Sequence, residues 1–152
     1  NRIIPDVIRS LINKKKILVR NPFSTRPWQH VLEPLSGYLI LAENLNKDEI
    51  KYSSSFNFGP FTEANRTVIE LVEESLKHWE GDFVLNEDIQ KPHEAGVLNL
   101  SIEKSMKELQ WGPKWDFKKT IEMTINWYKD VYKGNKSSLD CCIRDLKNYL
   151  ES

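Results

Sequence analysis

Hydrophobic positions recur at helical spacing in several separate windows of the chain. Ile4, Val7, Ile8, Leu11 and Ile12 fall on one helical face, with Pro5 tolerated in the first turn. Leu35, Tyr38, Leu39, Ala42 and Leu45 form a second stripe, in a helix that Pro34 opens. Val68, Leu71, Val72, Leu76 and Trp79 mark a third. Ser101 is expected to cap a short helix carrying Ile102, Met106 and Leu109, which Gly112 and Pro113 stop. Asp116 is expected to cap the next, with Phe117, Ile121, Ile125, Tyr128 and Tyr132 on one face. After the break "KGNKSS", a terminal helix is predicted over Leu139–Leu150. Strand signals are sparse: "KILVR" (16–20), "SFNFG" within 54–59, and "DFVLN" (82–86). "NPFSTRPWQH" (21–30), "NKDEIKYSS" (46–54) and "EDIQKPHEAG" (87–96) read as loops or polar connectors.

This order predicts an α/β chain with a mainly helical body and few short strands. "SFNFG" has helical crossovers on both sides, as a parallel strand has, and parallel sheets are buried on both faces. Three short strands separated by helices cannot complete such a sheet. The expectation is that its neighbours lie on polypeptide upstream of Asn1, and the chain does not begin with Met.

Charge narrows the function classes. Lys+Arg and Asp+Glu are both 22 in 152 residues, so there is no global basic field, and nucleic acid and membrane surfaces are set aside as partners. Any anion site must be a local cluster. No apolar run approaches the ~18 residues of a membrane span, and no signal peptide is seen. Cys141 and Cys142 are adjacent, which strains a disulfide between them; reduced thiols in a cytoplasmic protein are expected. His30, His78 and His93 show no metal-ligand spacing with each other or with the cysteines.

Four stretches, in this order and spacing, carry a family resemblance: "RPWQHVLEPLSGYLILAENL" (26–45), "FNFGP" (56–60), "KPHEAGVLNLSIEKSMKELQWGPKW" (91–115) and "TINWYKDVY" (124–132). The chain resembles the C-terminal half of the extended short-chain dehydrogenase/reductase family, NAD-dependent enzymes acting on nucleotide-sugars. Within it, the wording is most similar to the branch acting on CDP-glucose. The resemblance implies that residues 1–152 are one substrate-binding segment, with the last strand of the cofactor sheet near 54–59. It also implies that NAD is held by an N-terminal Rossmann half outside this chain, and that CDP-glucose and that half are its partners in an intact homodimer. No G-x-G-x-x-G or G-x-x-G-x-x-G occurs here, and the family's Tyr-x-x-x-Lys pair is expected in the other half too. A non-catalytic nucleotide-sugar-binding module, or a segment of an epimerase of the same family, are the alternatives.

Arg26 is the first candidate for the site, because a planar guanidinium binds phosphate oxygens bidentately and a loop before a helix presents it well. The resemblance places it on the nucleotide pyrophosphate. Trp28 and His30 line the substrate cleft on the functional reading; on the plainer one Trp28 packs and His30 makes local loop hydrogen bonds. Asn65 lies near the substrate phosphates by resemblance, or else caps a helix. Lys91 and His93, in the loop "QKPHEAG", stand where the family often carries an Arg-Pro segment, with Lys supplying charge without the fork. Arg2 lies in a segment like the family's stretch beside the nucleoside. Trp111, Trp115 and Trp127 read as packing residues.

Overall fold

A computed structural model describes residues 2–85 and 98–152. Helix α1 (Ile3–Ile12) buries Val7, Ile8 and Leu11, the face its spacing predicts. It leads to strand β1 (Ile17–Val19), whose Ile17 and Val19 are buried while Leu18 faces outward. Strand β2 (Thr25–Pro27) follows, then helix α2 (Leu32–Lys47) and the helical turn α3 (Glu49–Tyr52). A 3-10 turn at Thr62–Ala64 precedes strand β3 (Asn65–Thr67) and helix α4 (Val68–His78), and strand β4 (Phe83–Leu85) comes next. Helices α5 (Glu103–Leu109), α6 (Phe117–Tyr132) and α7 (Ser138–Leu150) complete the described chain. The architecture is mixed α/β and mostly helical.

The helix ends follow capping chemistry. Thr67 and Glu70 form a reciprocal capping box at α4, with the Thr67 amide donating to Glu70 Oε2 at 2.7 Å. Asp116 Oδ1 accepts the Lys119 amide at 2.7 Å and starts α6. Ser137 Oγ accepts the Asp140 amide at 3.1 Å and starts α7. Leu71 and Val72 of α4 pack with Phe117, Ile121 and Ile125 of α6 and with Val7, Ile17 and Val19 in the main core. Beside this core β1 and β4 pair in parallel, Ile17 opposite Phe83 and Val19 opposite Leu85.

Several expectations are corrected. The loop 21–30 contains β2, which pairs antiparallel with β3 in the register Arg26 opposite Arg66. Three residues a side are too few to leave a period-two pattern. The connector 46–54 contains α3, capped by Asp48 through the Lys51 amide at 3.0 Å. The N-cap of α5 is Ile102 rather than Ser101, whose carbonyl instead accepts from Asn57 Nδ2 at 3.2 Å. Residues 54–59 form no strand with any described residue. Their carbonyls are taken by side chains: Ser105 Oγ donates to Asn57 O at 2.5 Å and Gln29 Nε2 to Phe58 O at 2.9 Å. The α2 stripe is turned round as well. Leu35, Tyr38, Leu39 and Ala42 face outward. The inner face carries Glu33, Gly37, Ile40, Leu41 and Leu45. Gly37 selects that face, since any Cβ there would run into the Phe58 ring. Phe58 in turn packs edge-on to Trp111 (4.9 Å, 83°) in a second core with Tyr52, Ile102 and Leu109.

Glu33 ties α2 to the loop before α6 and to the terminal helix α7. Its side chain is fully buried in the first turn of α2, a favourable end of the helix dipole for a carboxylate. It accepts the Trp115 amide at 2.8 Å, the Lys114 amide at 3.1 Å to both oxygens, and the Tyr149 hydroxyl at 2.7 Å. Ser36 Oγ, one turn on, meets the Tyr149 hydroxyl at 2.9 Å and receives Trp111 Nε1–H at 2.9 Å. Lys114 Nζ closes the other side on the carbonyls of Tyr149 and Ser152, each at 3.0 Å. Burial, the larger influence, and the Glu33 hydrogen bond raise the Tyr149 phenol above its usual value, so it stays a donor. Glu33→Ala strands buried donors and should cost about 3–5 kcal/mol in urea denaturation. Tyr149→Phe should cost about 1–2 kcal/mol. An unchanged midpoint for Glu33→Ala would show that the carboxylate is not what joins α2 to α7.

Candidate functional site

Ser24 and residues 26–32 form one wall of a cleft of about 1220 Å³. The opposite wall is built by Ile3, Ile4 and Pro5 of α1, by Thr120, Ile121, Thr124, Trp127 and Tyr128 of α6, and by Cys142 and Asp145 of α7. Leu18 of β1, with Arg20 and Asn21 just beyond that strand, also lines it.

Strand β2 is what presents Arg26. Its pairing with β3 fixes the backbone, and Arg26 Nη1 donates to the neighbouring Thr25 carbonyl at 2.9 Å, which holds the guanidinium close to the strand. Opposite it in register, Arg66 is engaged elsewhere: its Nε lies 3.7 Å from Glu70 Oε1 and its guanidinium lies over the Phe117 ring at 5.9 Å. Two arginines side by side repel, so this partner for Arg66 eases the crowding of charge. Trp28 Nε1 donates to the Arg66 carbonyl at 2.8 Å, which clamps the strand pair. The indole packs against the main core.

His30 is buried, and its Nδ1 accepts the Leu32 amide at 3.3 Å. Its ring centroid is 4.8 Å from that of Trp115. Burial pushes its pKa down to about 4, so at neutral pH it lines the cleft as an uncharged ring and not as a cation for phosphate.

Cleft charge is mixed but biased. Arg2, Arg20 and Arg26 line it, against Asp6 and Asp145. Both acids are paired: Asp6 with Arg9, and Asp145 with Arg144 Nε at 2.8 Å. Burial raises the Asp145 carboxyl above its ordinary value, the Arg144 bond working the other way. Arg20 follows β1 and Arg26 lies in β2, while Arg2 precedes α1.

The structure therefore brings Arg2, Arg26, Trp28 and His30 to one cleft. Asn65 is not among the residues lining it. It stands opposite Pro27 in the strand pair, and its Nδ2 donates to Asn99 Oδ1 at 2.7 Å. The N-cap of α4 is Thr67, so Asn65 does not start that helix; it ends the 3-10 turn Thr62–Ala64. Lys91 and His93 lie outside the described residues. Arg20 and the α6 aromatics Trp127 and Tyr128 were missed as cleft residues. Arg20 ends the "KILVR" window, where a charge reads as strand punctuation, and Trp127 carries no pattern that separates lining from packing. Among the described residues no group of three or more His, Cys, Asp or Glu side chains could hold a metal ion, and no helix is long and apolar enough to cross a membrane.

One Tyr-x-x-x-Lys spacing does occur, Tyr132 and Lys136, contrary to the expectation that this chain carries none. It does not make a catalytic pair. Helix α6 ends at Tyr132, and Gly134 at φ +68° turns the chain between the two. The Tyr132 ring lies against Trp79 at 5.9 Å, away from the cleft lining.

No family model matches the chain. Along its whole length it aligns, at 38% identity over 153 residues, with the CDP-glucose 4,6-dehydratase of Salmonella typhimurium, covering 42% of that enzyme. The chain resembles the C-terminal part of a CDP-glucose 4,6-dehydratase. Solved structures extend the likeness at the level of fold. The dTDP-glucose 4,6-dehydratase of Bacillus anthracis, solved with NAD, superposes with a TM-score of 0.67 at 20% identity, over 87% of this chain and 40% of that one. The UDP-glucuronic acid 4-epimerase of Bacillus cereus, also solved with NAD, gives 0.70 at 16% identity, over 90% and 41%. The chain thus spans less than half the length of the dehydratase and of both solved relatives, and its α/β fold matches the C-terminal part of such dehydratases and epimerases.

The depressed His30 pKa has a consequence for stability. The folded ring stays neutral down to about pH 4, whereas the unfolded ring takes up a proton below its ordinary 6.5. The stability this burial contributes is whole above pH 6.5 and is lost progressively as pH falls towards 4. The loss reaches about 3 kcal/mol by linkage. His30→Gln should flatten the pH dependence of the urea midpoint within that window. Identical slopes for the two proteins would place the His30 ring in solvent.

Proposed function

We propose that this chain holds the nucleotide-sugar in an NAD-dependent CDP-glucose 4,6-dehydratase, a lyase giving CDP-4-keto-6-deoxyglucose. The observation that supports this most is the alignment of the whole chain with such an enzyme, together with Arg26 standing on a clamped strand over the cleft. The solved relatives that share the fold contain NAD, but the residues here do not suit it: there is no Gly-rich loop to take a pyrophosphate at a helix start. NAD belongs, on this reading, to the N-terminal Rossmann half, which carries the redox chemistry; residues 1–152 are the substrate-binding segment.

Arg26 receives the diphosphate of CDP-glucose, with Arg20 and Arg2 adding charge from the same cleft. Trp28 holds β2 on β3, and the neutral His30 and the α6 aromatics give the cleft its apolar side. On the family resemblance, Lys91 and His93 also serve the diphosphate. Asn65 contributes through Asn99 at the far end of the strand pair. Fixed binding of the remote diphosphate is what lets an enzyme orient the sugar for reaction. The intact enzyme is a homodimer, and the free thiols of Cys141 and Cys142 fit a reducing, cytoplasmic setting.

Two measurements check the reading. Calorimetric titration with CDP-glucose should show binding to the chain. A hydrogen bond to a charged group contributes about 1.5–3 kcal/mol, so Arg26→Ala should weaken binding about tenfold or more. Arg26→Lys should recover part of it, because charge returns without the fork. Equal affinity in a folded Arg26→Ala protein would reduce Arg26 to a surface charge. Incubated with CDP-glucose and NAD, the chain alone should give no 4-keto sugar, read by absorbance in alkali. Sustained turnover would overturn the division of labour.

A further inference from the structure

Helix α7 is held to the body on one side and bare on the other. Cys141, Asp145 and Tyr149, one turn apart along it, are buried. Arg144 pairs with Asp130 of α6, and the Tyr149 hydroxyl donates to Glu33 at 2.7 Å. Positions three and four apart share one side of a helix. By that spacing Leu139, Ile143, Leu146 and Leu150 form a row on the side away from the buried three. They are 67%, 43%, 46% and 69% exposed. None of the four belongs to a buried cluster among the described residues. Apolar residues scattered singly on a surface are ordinary, but a continuous row of four along a 13-residue helix marks a contact.

The steps of four, three and four are those of a coiled-coil seam. They also read the same in either direction. An antiparallel copy therefore sets Leu139 opposite Leu150 and Ile143 opposite Leu146. The row itself carries no charge. Its flank carries Asp140 near one end and Lys147 near the other, two heptad-equivalent positions on the same edge, and both are exposed. Asp140 also takes the Ser137 hydroxyl at 2.7 Å, which holds it at the helix start. Antiparallel, each Asp140 falls beside the Lys147 of the other copy. In parallel, like charges stand level with each other and no such pair forms.

We propose that this row pairs antiparallel with the same row of a second copy of the chain, about a two-fold axis level with positions 144 and 145. Such a contact is isologous and closes at two copies. The helix is already pinned along its inner side, so pairing orders little of it. The outward face of α2 as the partner of α7 fits less well: that contact is heterologous and need not close. A seam of four residues a side is small, so the pairing is weak, with a Kd on the order of 10–100 μM. Cys142 and Asp145 of the same helix line the cleft, so the pair sets two clefts on either side of the axis. The pairing does not depend on which ligand the cleft takes.

Sedimentation of the chain from about 1 to about 500 μM tests this. The unsubstituted chain should pass from monomer to dimer across that range. I143E/L146E should stay monomeric throughout. Because the row faces water in the monomer, that variant should melt as the unsubstituted chain does at the low end of the range. K147D places like charges along the flank and should weaken pairing about fivefold or more. D140K/K147D exchanges the two charges and should bring pairing back to within about twofold. A chain that is monomeric at the top of the range overturns the pairing and leaves the row to other polypeptide. Dimers that I143E/L146E does not affect, or that L35E/L39E dissolves, give the contact to another face and overturn it too. If D140K/K147D pairs no better than K147D, the antiparallel seam is wrong. Loss of helix in I143E/L146E by circular dichroism would make the row part of the chain's own core, and the proposal falls with it.

Discussion

A carboxylate with no access to water needs donors on every side, and Glu33 finds them on two distant parts of the chain. Its oxygens take two successive amides ahead of α6 and the phenol of α7. One helix turn is thereby held against the loop that opens α6 and against the terminal helix. That turn directly follows the segment bearing Arg26, Trp28 and His30. Both walls of the cleft are thus referred to one group: β2 and the start of α2 on one side, α6 and α7 on the other. Replacing water around a carboxylate is costly unless all its bonds are supplied at good geometry. The arrangement therefore tolerates little adjustment.

The chain has equal numbers of acids and bases, yet its cleft gathers three arginines. Its two acids are paired with neighbouring arginines, Arg9 and Arg144, while three more arginines line the same space. Across the strand pair, Glu70 and the Phe117 ring draw Arg66 aside, and Arg26 keeps its station on β2.

The helices were legible where apolar spacing and caps agreed. Asp116 and the stripe from Phe117 to Ile125 place α6, and the stripe beginning at Val68 places α4. What failed to show is instructive. Strands of three residues have no room for a period, so β2 and β3 passed as loop and helix approach. α2 has two apolar faces, and spacing alone cannot say which is inward; a Phe ring against Gly37 decides it. Glu33 carries no signal of its role in the sequence, because its partners are eighty and more positions away. Of the site, Arg26, Trp28 and His30 could be read from one loop, but the clamp that Trp28 makes on Arg66 could not. The neutrality of His30 also needed its burial against Trp115 to be seen.

The parallel pair of β1 with β4 carries a further implication, for the order in which the molecule assembles. Ile17 meets Phe83 only after the intervening chain has been gathered in, and that stretch contains β2, α2, β3 and α4. Closing so long a loop loses chain entropy before any contact repays it, and contacts remote in sequence slow folding. The αα pairing of α6 with α7 joins near neighbours and can form early. The two-strand clasp, with Leu18 on its cleft side, closes late. A nascent or partly opened chain therefore has its helices before the side of the cleft that carries Leu18 is in place.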